Sequence, residues 1–360
     1  MSINVLQKMK EIDKSKPVAV TGGSGYLASW IIKHLLDRGM TVKTTVRKLS
    51  DSSKYDHLMK LQGAAEGRLM LFEADLLKEA SFDEVIKDCE LVIHAASPFK
   101  IAGVKNYLKE VIEPALEGTK NVLSSVNRTA SVKRVVLTAS VASIHGDAAD
   151  ILDNPKGIFT PDDWNTTSTI KHQPYSYSKT VAEREAWKIA NGQERWDLVT
   201  IHPGFVLGPS LTHRKDSTSI DFMISFMTGR FRMGAPDLWL GIVDVRDVSS
   251  LHVIAGLSPG ANNRYIAVEA SYSMVQIAEK IVSAFGKKYP VSAKKLPGVL
   301  FYIFGPLMGF PLKFVRRNIG FPINIDNSRS IKELGMVYRP LTETISDQIE
   351  QIERDGLIRK

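Results

Sequence analysis

The sequence predicts an α/β fold: a doubly wound parallel sheet with a smaller, mostly helical C-terminal lobe. Three observations predict it. Six short apolar runs, at 18–21, 41–46, 69–73, 90–94, 134–138 and 198–202, alternate with helical patterns. That alternation is the signature of parallel strands joined by crossover helices. The first run leads directly into the glycine loop Thr21-Gly22-Gly23-Ser24-Gly25-Tyr26-Leu27-Ala28. After Pro209 the alternation loosens.

The glycine loop identifies the sheet as a Rossmann type. Gly22 permits a tight strand-to-helix turn, and Gly25 lets the backbone approach a pyrophosphate. Ala28 fills the third small position, where helix packs on strand. Leu27, Ile31, Ile32, Leu35 and Leu36 give the following helix one apolar face, and Gly39 marks its stop. The free N–H groups and positive dipole end of such a helix suit a phosphate. The expected phosphate-side contacts are Thr21, Gly22, Ser24, Gly25, Tyr26 and Leu27.

The second strand, Met40 to Arg47, sets the cofactor expectation. A site for NAD ordinarily carries an acid near this strand's end, to hold the ribose hydroxyls. Here no acid occurs before Asp51; Arg47 stands there instead, and Lys54 follows. A guanidinium forks onto a 2′-phosphate. The expected cofactor is therefore NADPH. After the third strand, Asp75-Leu76 is placed to meet the adenine, although Asp75 serves equally well as a helix cap. A helix from about Tyr107 to Val126 follows the fourth strand and carries Asn121, read equally as an active-site support or a structural amide.

The fifth strand ends at Ser140, and Tyr175-Ser176-Tyr177-Ser178-Lys179 opens a later helix. Residues i and i+4 share a helix face, so Tyr175 and Lys179 belong together and Tyr177 points elsewhere. A Lys ammonium beside a phenol lowers the phenol pKa. Tyr175 then serves as proton donor to a carbonyl oxygen, with Ser140 donating a second hydrogen bond. The catalytic set is Ser140, Tyr175 and Lys179, and Lys179 also holds the nicotinamide ribose. Residues 148–173, rich in Asp, Thr, Pro and Gly, form a loop expected to border the pocket.

These strings resemble the extended short-chain dehydrogenase/reductases, within the branch of dihydroflavonol reductase, cinnamoyl-CoA reductase and carbonyl (aldehyde) reductase. The carrying residues are Val20 to Trp30, Thr45-Val46-Arg47, Val92 to Pro98, Arg134 to Ser140, Tyr175 to Glu183 and Ile201 to Pro209. The resemblance runs from about Pro17 to Leu341. It implies a Ser140-Tyr175-Lys179 triad and NADPH. It implies that Ala95, Ala96, Ser97 and Pro98 line the cofactor cleft. It also implies that Pro203, Gly204, Phe205 and Val206 form the wall beside the nicotinamide. Two departures bear on substrate. Dihydroflavonol reductases carry Asn five residues after the catalytic Ser, where this chain has His145. The cinnamoyl-CoA reductase signature is reduced here to Tyr175-x-Tyr177-x-Lys179. A broad aldehyde/ketone reductase fits better than either plant substrate. Alternatives within the superfamily are a hydroxysteroid dehydrogenase or a nucleotide-sugar epimerase/dehydratase; outside enzymology, a non-enzymatic NADP sensor. The first two ordinarily use the missing acid, and sensors tend to lose the Tyr and Lys that are present.

The expected division is an NADP-binding domain over 1–205, to which 241–269 returns, and a substrate lobe over 206–360. Pro98, His145, Phe205, Met223 and Phe226 are the candidate substrate-pocket residues. Asp244, Asp247 and His252 are read as loop-to-helix hydrogen bonding rather than a metal set, so no metal is expected. Composition is that of an ordinary soluble chain, 44% hydrophobic and 24% charged over 360 residues. The lone cysteine, Cys89, excludes an intramolecular disulfide and reads as buried packing. Met1 to Lys16 holds no apolar run of signal length, and the expected setting is cytoplasmic. No transmembrane segment, nucleic-acid motif or repeat is expected; a monomer or homodimer is. Seven basic residues and no acid fall in 281–320, against a net charge of +8 for the whole chain. That stretch reads as a lid over the substrate lobe, fixed or mobile.

Overall fold

The computed structural model describes residues 10–97, 103–212, 217–304 and 310–358. Seven strands form one sheet in the order β3-β2-β1-β4-β5-β6-β9. They are β1 (Val18–Thr21), β2 (Val42–Val46), β3 (Leu69–Glu73), β4 (Leu91–His94), β5 (Arg134–Thr138), β6 (Asp197–Pro203) and β9 (Asn263–Ala267). Every neighbouring pair is parallel. Strands buried on both faces read as continuous apolar runs, and β1 and β4 do so. The chain order reverses between β1 and β4, which opens a crevice beyond their C-terminal ends, where such sheets bind ligands.

Two helical layers cover the sheet. The glycine-loop helix Tyr26–Asp37 and the helix Val245–Leu257 bury Ile31, Ile32, Leu35, Val248 and Leu251 with Val20 and Ile93. On the other face the helices Glu113–Arg128 and Pro174–Asn191 bury Val122, Leu123, Val126 and Ala186 with Val92 and Val135. Each large aliphatic side chain so buried contributes on the order of 1.5–3 kcal/mol.

One sequence expectation needs correction. Of the returning segment 241–269, β9 joins the main sheet, but the strand Trp239–Asp244 (β8) does not. It lies in a second sheet between β7 (Phe205–Leu207), parallel, and β10 (Ala270–Ser273), antiparallel. The reason is edge availability: β6 pairs with β5 on one side and β9 on the other, leaving β8 no partner there. The chain crosses close by instead. A Cβ at Gly204 would stand 2.2 Å from the Gly241 carbonyl oxygen, so only glycine permits the approach.

The C-terminal lobe has its own core, in which Ile220, Met223, Phe226, Ile277, Ile281, Ile345 and Ile349 are buried together. The helix Gly298–Phe304 exposes Val299, Tyr302 and Ile303, and the helix Leu312–Asn318 exposes Leu312. Within the basic stretch, Lys288 pairs with Glu353, Lys295 with Asp237, and Arg317 with Asp147 and Asp150. Arg317 therefore fastens this stretch to the main domain. The start of the N-terminal extension, residues 1–9, and part of the stretch read as a lid, 305–309, lie outside the described residues.

Candidate active site

The glycine loop builds a cradle at the crevice. Gly22 has φ +74°, and a Cβ there would meet Ala96 Cα and Cβ at 3.0 Å. Both the turn and the contact with the chain leaving β4 therefore require glycine. Thr21 Oγ1 ties the two strand ends by bonding His94 Nδ1 at 2.8 Å and accepting Ala96 N–H at 3.0 Å. Gly22 N–H donates to Thr45 Oγ1 and Gly23 N–H to the Thr45 carbonyl, which draws the end of β2 against the loop. Arg47, two residues on, is exposed and makes no hydrogen bond or ion pair among the described residues. Lys54 ends a short 3-10 turn, also exposed. The glycine-loop helix starts at Gly25 with no side-chain cap, so no side chain takes its first N–H groups. A glycine cradle, an uncapped helix start and an exposed guanidinium at the end of β2 fit a dinucleotide bearing a 2′-phosphate.

Ser140, Tyr175 and Lys179 converge beside this cradle. Ser140 follows β5 and N-caps a short 3-10 turn, its Oγ accepting the Ala142 N–H. The Ser140 hydroxyl neighbours the Tyr175 phenol closely enough to lower its pKa. Lys179 Nζ donates to Ser97 Oγ at 2.9 Å and stands 5.9 Å from the Tyr175 ring centroid. Burial pushes the Tyr175 phenol up to about 12, Ser140 working against it. Burial is the largest influence on this phenol, and Lys179 Nζ is hydrogen-bonded to Ser97. A phenol held up in this way stays protonated at neutral pH, as a proton donor must. Burial brings Lys179 down to about 8, opposed by the Glu183 charge. A cavity of about 20 Å³, lined by residues including His94, Ala96, Ser97, Thr138, Lys179 and Glu183, lies directly behind the ammonium.

The approach to Tyr175 is held by a buried carboxylate. Gln173, which precedes the helix, is in the left-handed region at φ +57°, a costly conformation for this residue type. Its Nε2 donates to Asp147 Oδ1 at 3.2 Å. Asp147 also accepts from His172 Nε2 at 2.7 Å, Arg317 Nε at 2.8 Å and Asn318 Nδ2 at 2.8 Å. Burial pushes this carboxyl up, but the bonds from His172, Asn318, Arg317 and Gln173 outweigh it, and its pKa lies below the ordinary value of 3.8. The start of the tyrosine helix and the lobe helix Leu312–Asn318 therefore meet on one side chain.

The other candidates fall as follows. Asp75 Oδ1 accepts the Leu77 N–H at 2.8 Å, a local turn, and Asn121 Nδ2 donates to the Leu76 carbonyl, a structural bond. Leu76 and Ala96 line the same small cavity as Lys179. Ser24, Tyr26, Leu27 and Ala95 lie on the loop, helix start and strand end that form the cradle. Tyr26 Oη donates to the Gly208 carbonyl at 2.6 Å. Pro203 ends β6, Gly204 follows it, and Phe205 and Val206 begin the second sheet. Pro98 lies outside the described residues. His145 stacks on Phe159 with centroids 4.4 Å apart, and both ring nitrogens are buried without a hydrogen-bond partner among the described residues. Burial lowers its pKa. Met223 and Phe226 are fully buried in the lobe core, so they do not line an open cleft here. Phe222 packs edge to face on Phe226 at 5.2 Å, and Phe205 edge to face on Phe222 at 4.8 Å. Asp244 caps the next helix through Arg246 N–H, Asp247 accepts the Arg339 N–H, and His252 bonds Thr138 and Val248, as the loop-to-helix reading expects. Cys89 is buried and its thiol is pushed up to about 12 by desolvation.

Sequence reasoning did not single out the cluster around Glu183, formed with Ser143, Thr200, His202 and Arg264. Its signal was present: an acid four residues after Lys179, on the same helix face, among small residues.

The sequence pattern of the NAD dependent epimerase/dehydratase family matches residues 18–265. A cinnamoyl-CoA reductase of Medicago truncatula is 36% identical over 341 residues, covering 93% of this chain and 95% of that protein. A tetraketide alpha-pyrone reductase of Arabidopsis thaliana is 35% identical over 350 residues, covering 96% and 98%. Among solved structures, yeast methylglyoxal/isovaleraldehyde reductase complexed with NADPH superimposes with a TM-score of 0.76 at 27% identity, covering 95% of this chain and 100% of that one.

Proposed function

The chain belongs to the NAD dependent epimerase/dehydratase family, in the dihydroflavonol and cinnamoyl-CoA reductase branch, and we propose that it reduces an aldehyde or ketone to an alcohol with NADPH. The observation that carries this reading is the convergence of Ser140, Tyr175 and Lys179 at the end of the sheet, beside the glycine cradle. When bound, the cofactor supplies the hydride. Arg47, with Lys54, would take the 2′-phosphate, and Lys179 the nicotinamide ribose. The protein's part is then to orient and to protonate. Ser140 donates a hydrogen bond to the carbonyl oxygen and polarises it. Tyr175 gives that oxygen its proton as negative charge develops there. The Lys179 ammonium makes the phenolate left behind less costly. The relatives of known function named above are reductases, two by sequence and one, with NADPH, by structure.

The test follows nicotinamide absorbance while the purified protein meets NADPH or NADH with a panel of aldehydes and ketones. Turnover is expected with NADPH. Tyr175→Phe should abolish it while NADPH still binds, because only the proton donor is lost, and Tyr177→Phe should keep substantial activity. Retained turnover in Tyr175→Phe would overturn the assignment. His145, five residues after Ser140 and with both ring nitrogens unpartnered among the described residues, is proposed to meet a polar group of the substrate. His145→Ala should then reorder kcat/KM among aryl and aliphatic carbonyls; an unchanged ranking would place it outside the pocket.

A further inference from the structure

One carboxylate in this protein collects donors from four separate segments. Glu183 sits one helical turn after Lys179, with its side chain 1% exposed. Its Oε1 accepts from His202 Nε2 at 2.9 Å and Arg264 Nε at 2.7 Å. Trp187 Nε1, at 3.2 Å, and Thr200 Oγ1, at 3.3 Å, complete that oxygen's partners. Oε2 accepts from Ser143 Oγ at 2.5 Å and Arg264 Nη2 at 3.1 Å. Two parallel guanidinium contacts of this kind fix direction as well as charge.

Arg264 is itself locked. It projects from the edge strand β9, lies 3.9 Å from the Trp164 ring centroid and donates to the Pro161 and Asp163 carbonyls. A charge pair buried this deeply is costly to assemble, and simple stability is weak grounds for it. What it joins is more informative. Ser143 Oγ lies 2.8 Å from the Ser140 carbonyl oxygen while reaching Glu183, so the turn that aims the Ser140 hydroxyl rests on this carboxylate. Glu183 and Lys179 line the same small cavity.

We propose that Glu183, clamped by Arg264, is a positioning residue that holds the Ser140 turn and the Lys179 ammonium in register for proton transfer to the substrate. It touches neither substrate nor cofactor and acts through those two groups. This rests on the roles given above to Ser140, Tyr175 and Lys179. The electrostatics agree. The groups facing Lys179 are Tyr175 and Glu183 from its own helix, His94 from β4 and the Ser97 hydroxyl. Burial holds His94 neutral at about 3, with the Lys179 charge adding to it. Burial also lowers Lys179, and the Glu183 carboxylate is the opposing charge. The carboxylate stays ionised because His202 and Arg264 outweigh its own burial. Removing its charge lets the Lys179 pKa fall further below about 8. The ammonium is then lost at a lower pH, and carbonyl reduction with it.

The experiment compares Glu183→Gln, Ser143→Ala and Tyr175→Phe with the wild type, reading kcat against pH, NADPH binding by fluorescence and melting temperature. Glu183→Gln should lower kcat about tenfold or more and move the alkaline limb of its pH profile down by roughly one unit. Ser143→Ala should lower kcat severalfold and leave that limb in place, since only the Ser140 link is cut. A merely structural role would lower the melting temperature without moving the limb. A folded Glu183→Gln protein with wild-type kcat and limb would overturn the proposal. If Glu183→Gln does not fold, Ser143→Ala decides: an unchanged kcat overturns it. Tyr175→Phe separates the two failures. An active Tyr175→Phe enzyme sinks the catalytic reading itself, whereas an inactive one beside unaffected Glu183 and Ser143 variants sinks only this inference.

Discussion

The two sides of the crevice are built by different means. The glycine-loop side is built mostly of backbone: Gly22 packs on Ala96 beyond β4, Gly23 N–H bonds the Thr45 carbonyl of β2, and Thr21 and Thr45 are short ties. The side that carries Tyr175 is held by buried charge. Asp147 binds His172, Gln173, Arg317 and Asn318, and Glu183 binds His202 and Arg264. Such close backbone contacts tolerate no added atom. Charge clusters join segments as far apart as Asp147 and Asn318, and they tolerate shape changes better than loss of a partner. The difference teaches where each side should fail: the first by steric intrusion, the second by an unpaired charge.

The largest expected effect is on the charged side. Asp147→Ala leaves Arg317, His172 and Asn318 without their shared acceptor and should destabilise the protein by roughly 3–5 kcal/mol. Urea unfolding measures it, and a loss below 1 kcal/mol would mean that the cluster only decorates the fold. The sign of the pH dependence follows from the depressed Asp147 pKa. Its stabilisation is complete above the ordinary value of 3.8 and is lost as pH falls below it. Asp147→Asn should therefore narrow the stability gap to wild type on the acid side of that value.

Next comes steric intrusion on the backbone side. Gly22→Ala must adopt φ +74° and press on Ala96, at a cost of about 1–3 kcal/mol. It should also weaken NADPH binding well beyond any effect on stability, as a dye-free fluorescence titration would reveal. Normal affinity in a folded Gly22→Ala protein would contradict the cradle.

Arg47→Ala should leave stability alone, since the side chain is exposed and unpartnered among the described residues. Losing a charge-assisted contact costs on the order of 1.5–3 kcal/mol, so KM for NADPH should rise by roughly one to two orders of magnitude. KM for NADH should barely move. Equal rises for both would remove Arg47 from the 2′-phosphate.

The smallest effect separates two neighbours. Arg316 is exposed and Arg317 is paired with Asp147 and Asp150. Arg316→Ala should change stability by no more than about 0.5 kcal/mol, while Arg317→Ala should unfold measurably earlier on heating. Matching melting curves would show that the lid's basic character, not the latch, is what counts.

The strands and the glycine loop were legible because their signals are local. A run such as Val18 to Thr21 is apolar throughout because both faces are covered, and Gly22 is required by its own φ. The pairing of Tyr175 with Lys179 followed from helical periodicity alone, and the structure places Lys179 near the Tyr175 ring. The expectation that Arg47 meets the 2′-phosphate comes from the absence of an acid near it. Only tertiary structure decided the rest. It put β8 in a second sheet because β9 already occupied the edge of β6. It buried Met223 and Phe226 in a core where periodicity alone left a pocket wall equally open. It turned Arg317 from one of seven basic residues into a tie across the lobe. And it gathered Ser143, Glu183, His202 and Arg264 around one carboxylate. Sequence spacing determines what neighbours on one helix or strand can do. Which distant charge completes a buried pair is set by how sheets and lobes pack, because desolvation makes the pairing obligatory only once burial exists.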